Sequence, residues 1–117
     1  MDEAAIQDLF AAAPELAPLR TKRMFGGLGV YSGDLMMALV AYGELYLKVD
    51  EETKPAFEAV GARPFVYAGK DRPSVMSYWT LPDAAHDDPD EVARWGRLAL
   101  AAARRAAGKR SRPRKGA

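Results

Sequence analysis

The chain has 117 residues, of which 49% are hydrophobic and 28% are charged, a composition typical of one globular domain. It has no cysteine and one histidine, which excludes disulfide scaffolds, thiolate zinc sites, iron–sulfur clusters, cysteine nucleophiles and sites that need two imidazoles. No apolar stretch reaches the length of about 18 residues that a spanning helix needs, and the acidic start MDEAAIQDLF lacks the cationic region of a signal peptide. We therefore expect a cytoplasmic protein with no membrane partner.

The net charge of +1 conceals an asymmetry along the chain. Residues 104–117 carry seven of the 17 basic residues and no acid, so residues 1–103 have a net charge of −6. A basic end on an acidic body is typical of nucleic-acid or membrane-surface contact, and also of a simple solvated tail. We predict a folded domain over residues 1–107 and a disordered basic tail over 108–117. The candidate nucleic-acid contacts are Arg105, Lys109, Arg110, Arg112, Arg114 and Lys115.

The first predicted element is a helix over residues 3–13. Its apolar residues recur at helical spacing, Asp2 is a suitable N-cap, and Pro14 ends it. Three short strands follow, over residues 28–31, 35–41 and 44–49. Because only tight turns separate them, they are expected to form a three-stranded meander.

The second half of the chain predicts a short helix over about residues 51–60, strands over 65–68 and 75–81, and a long third helix. The third helix is capped by Asp88 and ends at Gly108. The element order is therefore α-β-β-β-α-β-β-α. Strands in runs with helices between them indicate an α+β fold of two layers, a mostly antiparallel sheet with the helices packed on one face.

A catalytic site is weakly supported. His86 lies in a polar loop, where Asp87 or Asp88 could orient it as a base, and Ser77 is the one serine considered as a nucleophile. Ser77 lies on a predicted strand and not on a nucleophile elbow, and the nearby carboxylates lack the spacing of a calcium loop. We interpret His86 as a solvated loop residue and the carboxylates as helix caps, and predict no enzyme, cofactor or metal site.

A sheet with helices on one side leaves its other face open to a partner. The residues predicted to line this face as a protein-interaction surface, for a second copy or a regulator, are Tyr31, Tyr46, Lys48, Met76 and Tyr78. Arg20, Lys22 and Arg23 precede them and could make the face basic and aromatic, a combination that also suits nucleic acid.

Two segments resemble the N-terminal domain of the TfoX/Sxy family of bacterial competence regulators. One runs from Arg23 to Tyr31 and contains MFGGLGV, and the other is MSYWTLP at residues 76–82. The motif positions to which we assign a structural role are Met24, Phe25, Gly26, Gly27, Gly29, Ser77 and Trp79. From the residues alone, the glycines mark a bulge or a close approach of another backbone or helix, because they match no phosphate-binding loop.

The resemblance covers roughly residues 10–105 and implies a fold similar to that of type III secretion chaperones. It also implies a regulatory or protein-interaction role without catalysis. The alternative is a nucleic-acid-associated protein that uses its basic C-terminal tail. Longer relatives carry a second, helical domain that this chain is expected to lack, so the resemblance does not carry competence control over directly.

Overall fold

The computed structural model describes residues 1–24, 27–68 and 73–111, without the side chains of residues 67, 68, 73–76, 110 and 111. Three α-helices and six strands make up the described chain. In chain order they are α1 (Glu3–Leu9), β1 (Leu19–Met24), β2 (Gly27–Ser32), β3 (Leu35–Ala41), β4 (Glu44–Lys48), α2 (Lys54–Ala59), β5 (Pro64–Ala68), β6 (Pro73–Thr80) and α3 (Pro89–Ser111), with 3-10 turns at Pro14–Leu16 and Asp83–Ala85.

The strands form one antiparallel sheet in the order β1-β2-β3-β4-β6-β5. The predicted α+β class is confirmed. The predicted three-stranded meander is wrong by one strand, because β1 precedes it and makes it four-stranded. The sequence LRTKRM lacks the apolar alternation that predicts a strand, since four of its six residues are polar or charged and only Leu19 is buried.

Two hydrophobic clusters lie on opposite sides of the sheet. The larger cluster joins one side of the sheet to all three helices, and its fully buried large side chains include Phe10, Phe57 and Leu47. This confirms the prediction that the helices pack on one face. The smaller cluster lies on the side away from the helices, which we call the open face. Its members are Leu39, Phe65 and Tyr78, with Met36, Ala41 and Tyr46 packed against them.

A bulge in β3 explains how the apolar run LMMALVA serves both clusters. Val30 pairs with Ala38 and the next residue of β2 pairs with Met36, so Met37 is an extra residue in β3. Met37 and Ala38 are both fully buried in the helix-side cluster, whereas Met36 and Leu39 on either side of them belong to the open face.

Two predicted helix ends are wrong. Asp2 caps α1 as expected, by accepting from the backbone N–H of Ala5, but α1 ends at Leu9, and Pro14 starts a 3-10 turn. α3 begins as predicted, with the Asp88 carboxylate accepting from two first-turn N–H groups, but it runs past Gly108 to Ser111. Gly108 has open space around its Cα, and a single glycine costs a helix only about 1 kcal/mol. Residues 108–111 therefore belong to the helix, and residues 112–117 lie outside the described residues.

Candidate interaction surfaces

The residues predicted to form the interaction surface lie on the open face, but they differ in how far their side chains are exposed. Tyr31 is half-buried on β2 opposite Met36, and Tyr46 is half-buried on β4 opposite Leu39. Tyr78, predicted as part of an exposed patch, is only 9% exposed because it packs into the open-face cluster. The Met76 side chain lies outside the described residues.

Lys48 links this face to the neighbouring strand. Its Nζ lies 5.0 Å from the centroid of the Tyr78 ring and donates to the Ser77 hydroxyl at 2.7 Å. Partial burial, aided by the Glu44 carboxylate, raises the pKa of the Tyr46 phenol. This phenol therefore stays neutral at physiological pH. Lys48 is not the open face's only cation in the described part of the chain, because Arg20 and Lys22 of β1 lie directly opposite Tyr31 and Gly29 of β2, and residues opposite each other share a face.

Tyr42 is an exposed aromatic residue beside the open face, in the tight turn predicted between the strands over residues 35–41 and 44–49. It is 82% exposed and has a φ of 53°, a left-handed conformation that bulky residues rarely adopt. Its ring centroid lies 6.1 Å from that of Phe65, whose ring is 5.0 Å from that of Tyr46. The available signal was the dipeptide Tyr42-Gly43 between two strands, since a two-residue hairpin turn of this kind needs positive φ at both positions.

The glycines of the first motif have a packing role in the described part of the chain. A Cβ on Gly27 would overlap the carbonyl oxygen of Val40, so β2 and β3 approach closely here. A Cβ on Gly29 would touch the side chains of Met24 and Tyr31, at 3.1 and 3.2 Å. Phe25 and Gly26 lie outside the described residues. At Gly27 the backbone of β3 lies close to that of β2, which is one of the two interpretations that the sequence left open for these glycines.

Arg105 anchors the end of α3 to the start of α2. Its guanidinium donates to the two carboxylate oxygens of Asp50, at 2.5 and 3.1 Å, and lies 2.9 Å from a carboxylate oxygen of Glu52. The hydrogen bond from Arg105 lowers the pKa of Asp50 from 3.8 to about 2. Of the candidate nucleic-acid contacts, Arg105 is therefore engaged within the molecule and Lys109 is an exposed side chain of α3. The Arg110 side chain and Arg112, Arg114 and Lys115 lie outside the described residues.

The two residues considered for catalysis lie in unremarkable surroundings. His86 is an exposed residue at the end of the second 3-10 turn, and Ser77 is an exposed strand residue that accepts from Lys48. Within residues 1–24, 27–68 and 73–111, no three carboxylate or imidazole side chains come together as metal ligands. No helix in the same ranges is long and apolar enough to cross a membrane.

Comparison with known proteins places most of the chain in one family. A family model described as the TfoX N-terminal domain matches residues 8–103. The chain is also 28% identical, over 80 residues, to a protein of Aliivibrio fischeri named DNA transformation protein TfoX1. That alignment covers 68% of this chain and 38% of the relative, so the chain spans well under half the length of the relative.

Proposed function

The chain belongs to the TfoX N-terminal domain family, and from this membership and the surface geometry we propose that it is a non-enzymatic interaction module in the control of DNA transformation. It binds a protein partner, a regulator or a second copy, through the open face and the adjoining Tyr42. The link to transformation rests on the name of the relative from Aliivibrio fischeri. A cytoplasmic location and independence of a cofactor remain predictions from the sequence.

The observation that supports this proposal best is the conformation of Tyr42. A non-glycine residue in the left-handed region costs about 1–2 kcal/mol, and Asn or Gly would relieve that cost in a turn of this kind. The side chain recovers little of it within the molecule, since it is 82% exposed and its only described ring contact is with Phe65. An aromatic residue kept exposed at such a position is suited to contact with a partner.

Site-specific photo-crosslinking tests the proposal in the host organism. A benzophenone amino acid at position 42 should give a discrete crosslinked product, and the mass of that product separates a second copy from another protein. Val60 supplies the matched control, because it is an exposed apolar residue, at 50%, at the end of α2 and away from the open face. Products of equal yield from positions 42 and 60, or from neither, would contradict the proposal.

A functional readout complements the crosslink. Tyr42→Asn should lower transformation frequency toward that of a deletion strain, whereas Val60→Asn should leave it unchanged. Because Asn suits the turn, a loss of function in Tyr42→Asn could not be attributed to unfolding.

A further inference from the structure

A groove of about 380 Å³ lies between the end of the sheet and the C-terminal half of α3. Lys48, Ser77 and Trp79 line it from the sheet, Lys54 lines it from α2, and Arg105 and Lys109 line it from α3. Asp50 and Glu51 are its acidic residues. Its volume lies within the range of small-ligand sites, about 300–1,000 Å³.

The groove is cationic on a domain that is otherwise acidic. Four cationic side chains line it, against two acidic ones, whereas residues 1–109, which include all of the lining, have a net charge of −3. The Arg105 guanidinium forms an ion pair with the Asp50 carboxylate, which neutralises it, and a second ion pair with the Glu52 carboxylate. Lys54 on α2 and Lys109 on α3 are both exposed, and they line the same groove from two different helices.

The wall of the groove combines an aromatic surface with a hydroxyl donor. Trp79 is half-buried, packs against the helix-side core and also lines the groove. The Ser77 hydroxyl accepts from Lys48 Nζ at 2.7 Å, and a hydroxyl that accepts one hydrogen bond keeps its own proton as a donor. Ammonium groups, a hydroxyl and an indole together match a nucleotide, whose phosphate is anionic and whose base is planar and apolar on its faces.

We propose that this groove binds a nucleotide unit of single-stranded nucleic acid, with the phosphate held by Lys54 and Lys109 and the base against Trp79. A free mononucleotide shares this chemistry. The single strand is the better fit on composition, because the sequence after Lys109 adds four basic residues and no acid, and a basic segment favours a polyanionic strand over one nucleotide. Lys48 lines both this groove and the open face, whereas Lys54, Lys109 and Trp79 line the groove from the helix side, so the proposed phosphate and base contacts do not depend on the protein-interaction role.

The test uses the full chain and a fluorescent oligothymidylate of about twelve nucleotides, followed by anisotropy. The Lys54→Ala/Lys109→Ala variant should bind about fivefold more weakly, from two exposed charge contacts. The matched control is Arg94→Ala/Arg97→Ala, which removes the same charge from exposed residues in the N-terminal half of α3, outside the groove. It should change binding less than twofold. Raising NaCl from about 50 to 200 mM should weaken wild-type binding about sevenfold if the phosphate in the groove and one further phosphate of the strand are contacted.

Three outcomes would overturn the proposal. They are no binding at the lower salt concentration, an equal loss in the groove and control variants, and a loss confined to an Arg112→Ala/Arg114→Ala/Lys115→Ala variant. Competition by thymidine monophosphate at similar affinity, with the same dependence on Lys54 and Lys109, would assign the groove to a free nucleotide instead of a strand. Tyr42→Asn should bind the oligonucleotide like wild type, so failure here and failure of the open-face role are distinguishable.

Discussion

The ion pair between Asp50 and Arg105 should contribute measurably to stability, because it ties α3 to the start of α2. Asp50 has a pKa of about 2 in the folded chain against an ordinary 3.8, which corresponds to about 2.4 kcal/mol by linkage. The side chains are 20% and 35% exposed, so solvent screening reduces this to about 1–1.5 kcal/mol. We expect a coupling free energy of that size between the two side chains.

The same ion pair should make part of the free energy of unfolding dependent on pH. A carboxylate whose pKa is lowered by folding stabilises the native state above its unfolded pKa and loses that contribution as pH falls through its folded pKa. For Asp50 the loss therefore runs from about pH 4–5 down to about pH 2. Arg97 also lowers the pKa of Glu15, so the difference between wild type and variant, and not the wild-type curve alone, isolates Asp50.

A double-mutant cycle in urea, at neutral pH and near pH 2, measures both effects. Asp50→Asn keeps an oxygen for the backbone N–H groups of Glu52 and Thr53 while removing the charge, and Arg105→Met keeps an unbranched apolar stem. Shortening the chain at Ala103 would be a poorer test of this region, since it removes Arg105 together with the basic end. A coupling below about 0.3 kcal/mol at neutral pH, or one that persists near pH 2, would refute the reasoning.

Three further predictions concern stability, each measured as the free energy of unfolding in urea. Tyr42→Asn should stabilise the chain by about 1 kcal/mol, because it relieves the left-handed tyrosine, and a loss of stability would contradict the strain argument. Gly27→Ala should destabilise the chain by about 2 kcal/mol or more, because its Cβ would overlap the carbonyl oxygen of Val40. The control Gly108→Ala has open space for its Cβ and should stabilise the chain by up to about 1 kcal/mol. Equal effects of the two substitutions on the free energy of unfolding would contradict the close approach of β2 and β3. Phe57→Ala should cost about 3–5 kcal/mol, since its ring is fully buried, and a cost below about 1 kcal/mol would exclude it from the core.

Local patterns predicted most of the strands and the start of α3, but not β1. This strand gains part of its stability from α1, far from its own residues. The Glu3 carboxylate accepts from the backbone N–H of Thr21 at 2.8 Å, and the Gln7 amide donates to the carbonyl oxygen of Leu19 at 3.3 Å. The spacing of residues within LRTKRM cannot indicate these contacts, because their partners lie in α1.

The open face was predicted in its location but not in its exposure. Alternation along β4 and β6 correctly separates Tyr46 and Tyr78 from the core positions, because side chains of a strand point to alternate faces. It cannot show that Phe65, Leu39 and Tyr78 cover one another and form a second small core. The most exposed aromatic ring among the described side chains is that of Tyr42, which strand periodicity does not address, since it lies in a turn.

The capping of β1 also bears on how the domain can meet a partner. An uncovered edge strand invites pairing with another chain, and proteins block such edges with side chains, charge or proline. Glu3 and Gln7 occupy backbone groups on the outer side of β1, and the other edge strand, β5, begins with Pro64, which has no N–H to donate. Strand addition is therefore disfavoured along β1 and at the start of β5, and side-chain contact on the open face suits a partner better at these places. Substitution of the exposed Tyr42 leaves the buried side chains of both clusters in place, so binding can be lost without unfolding.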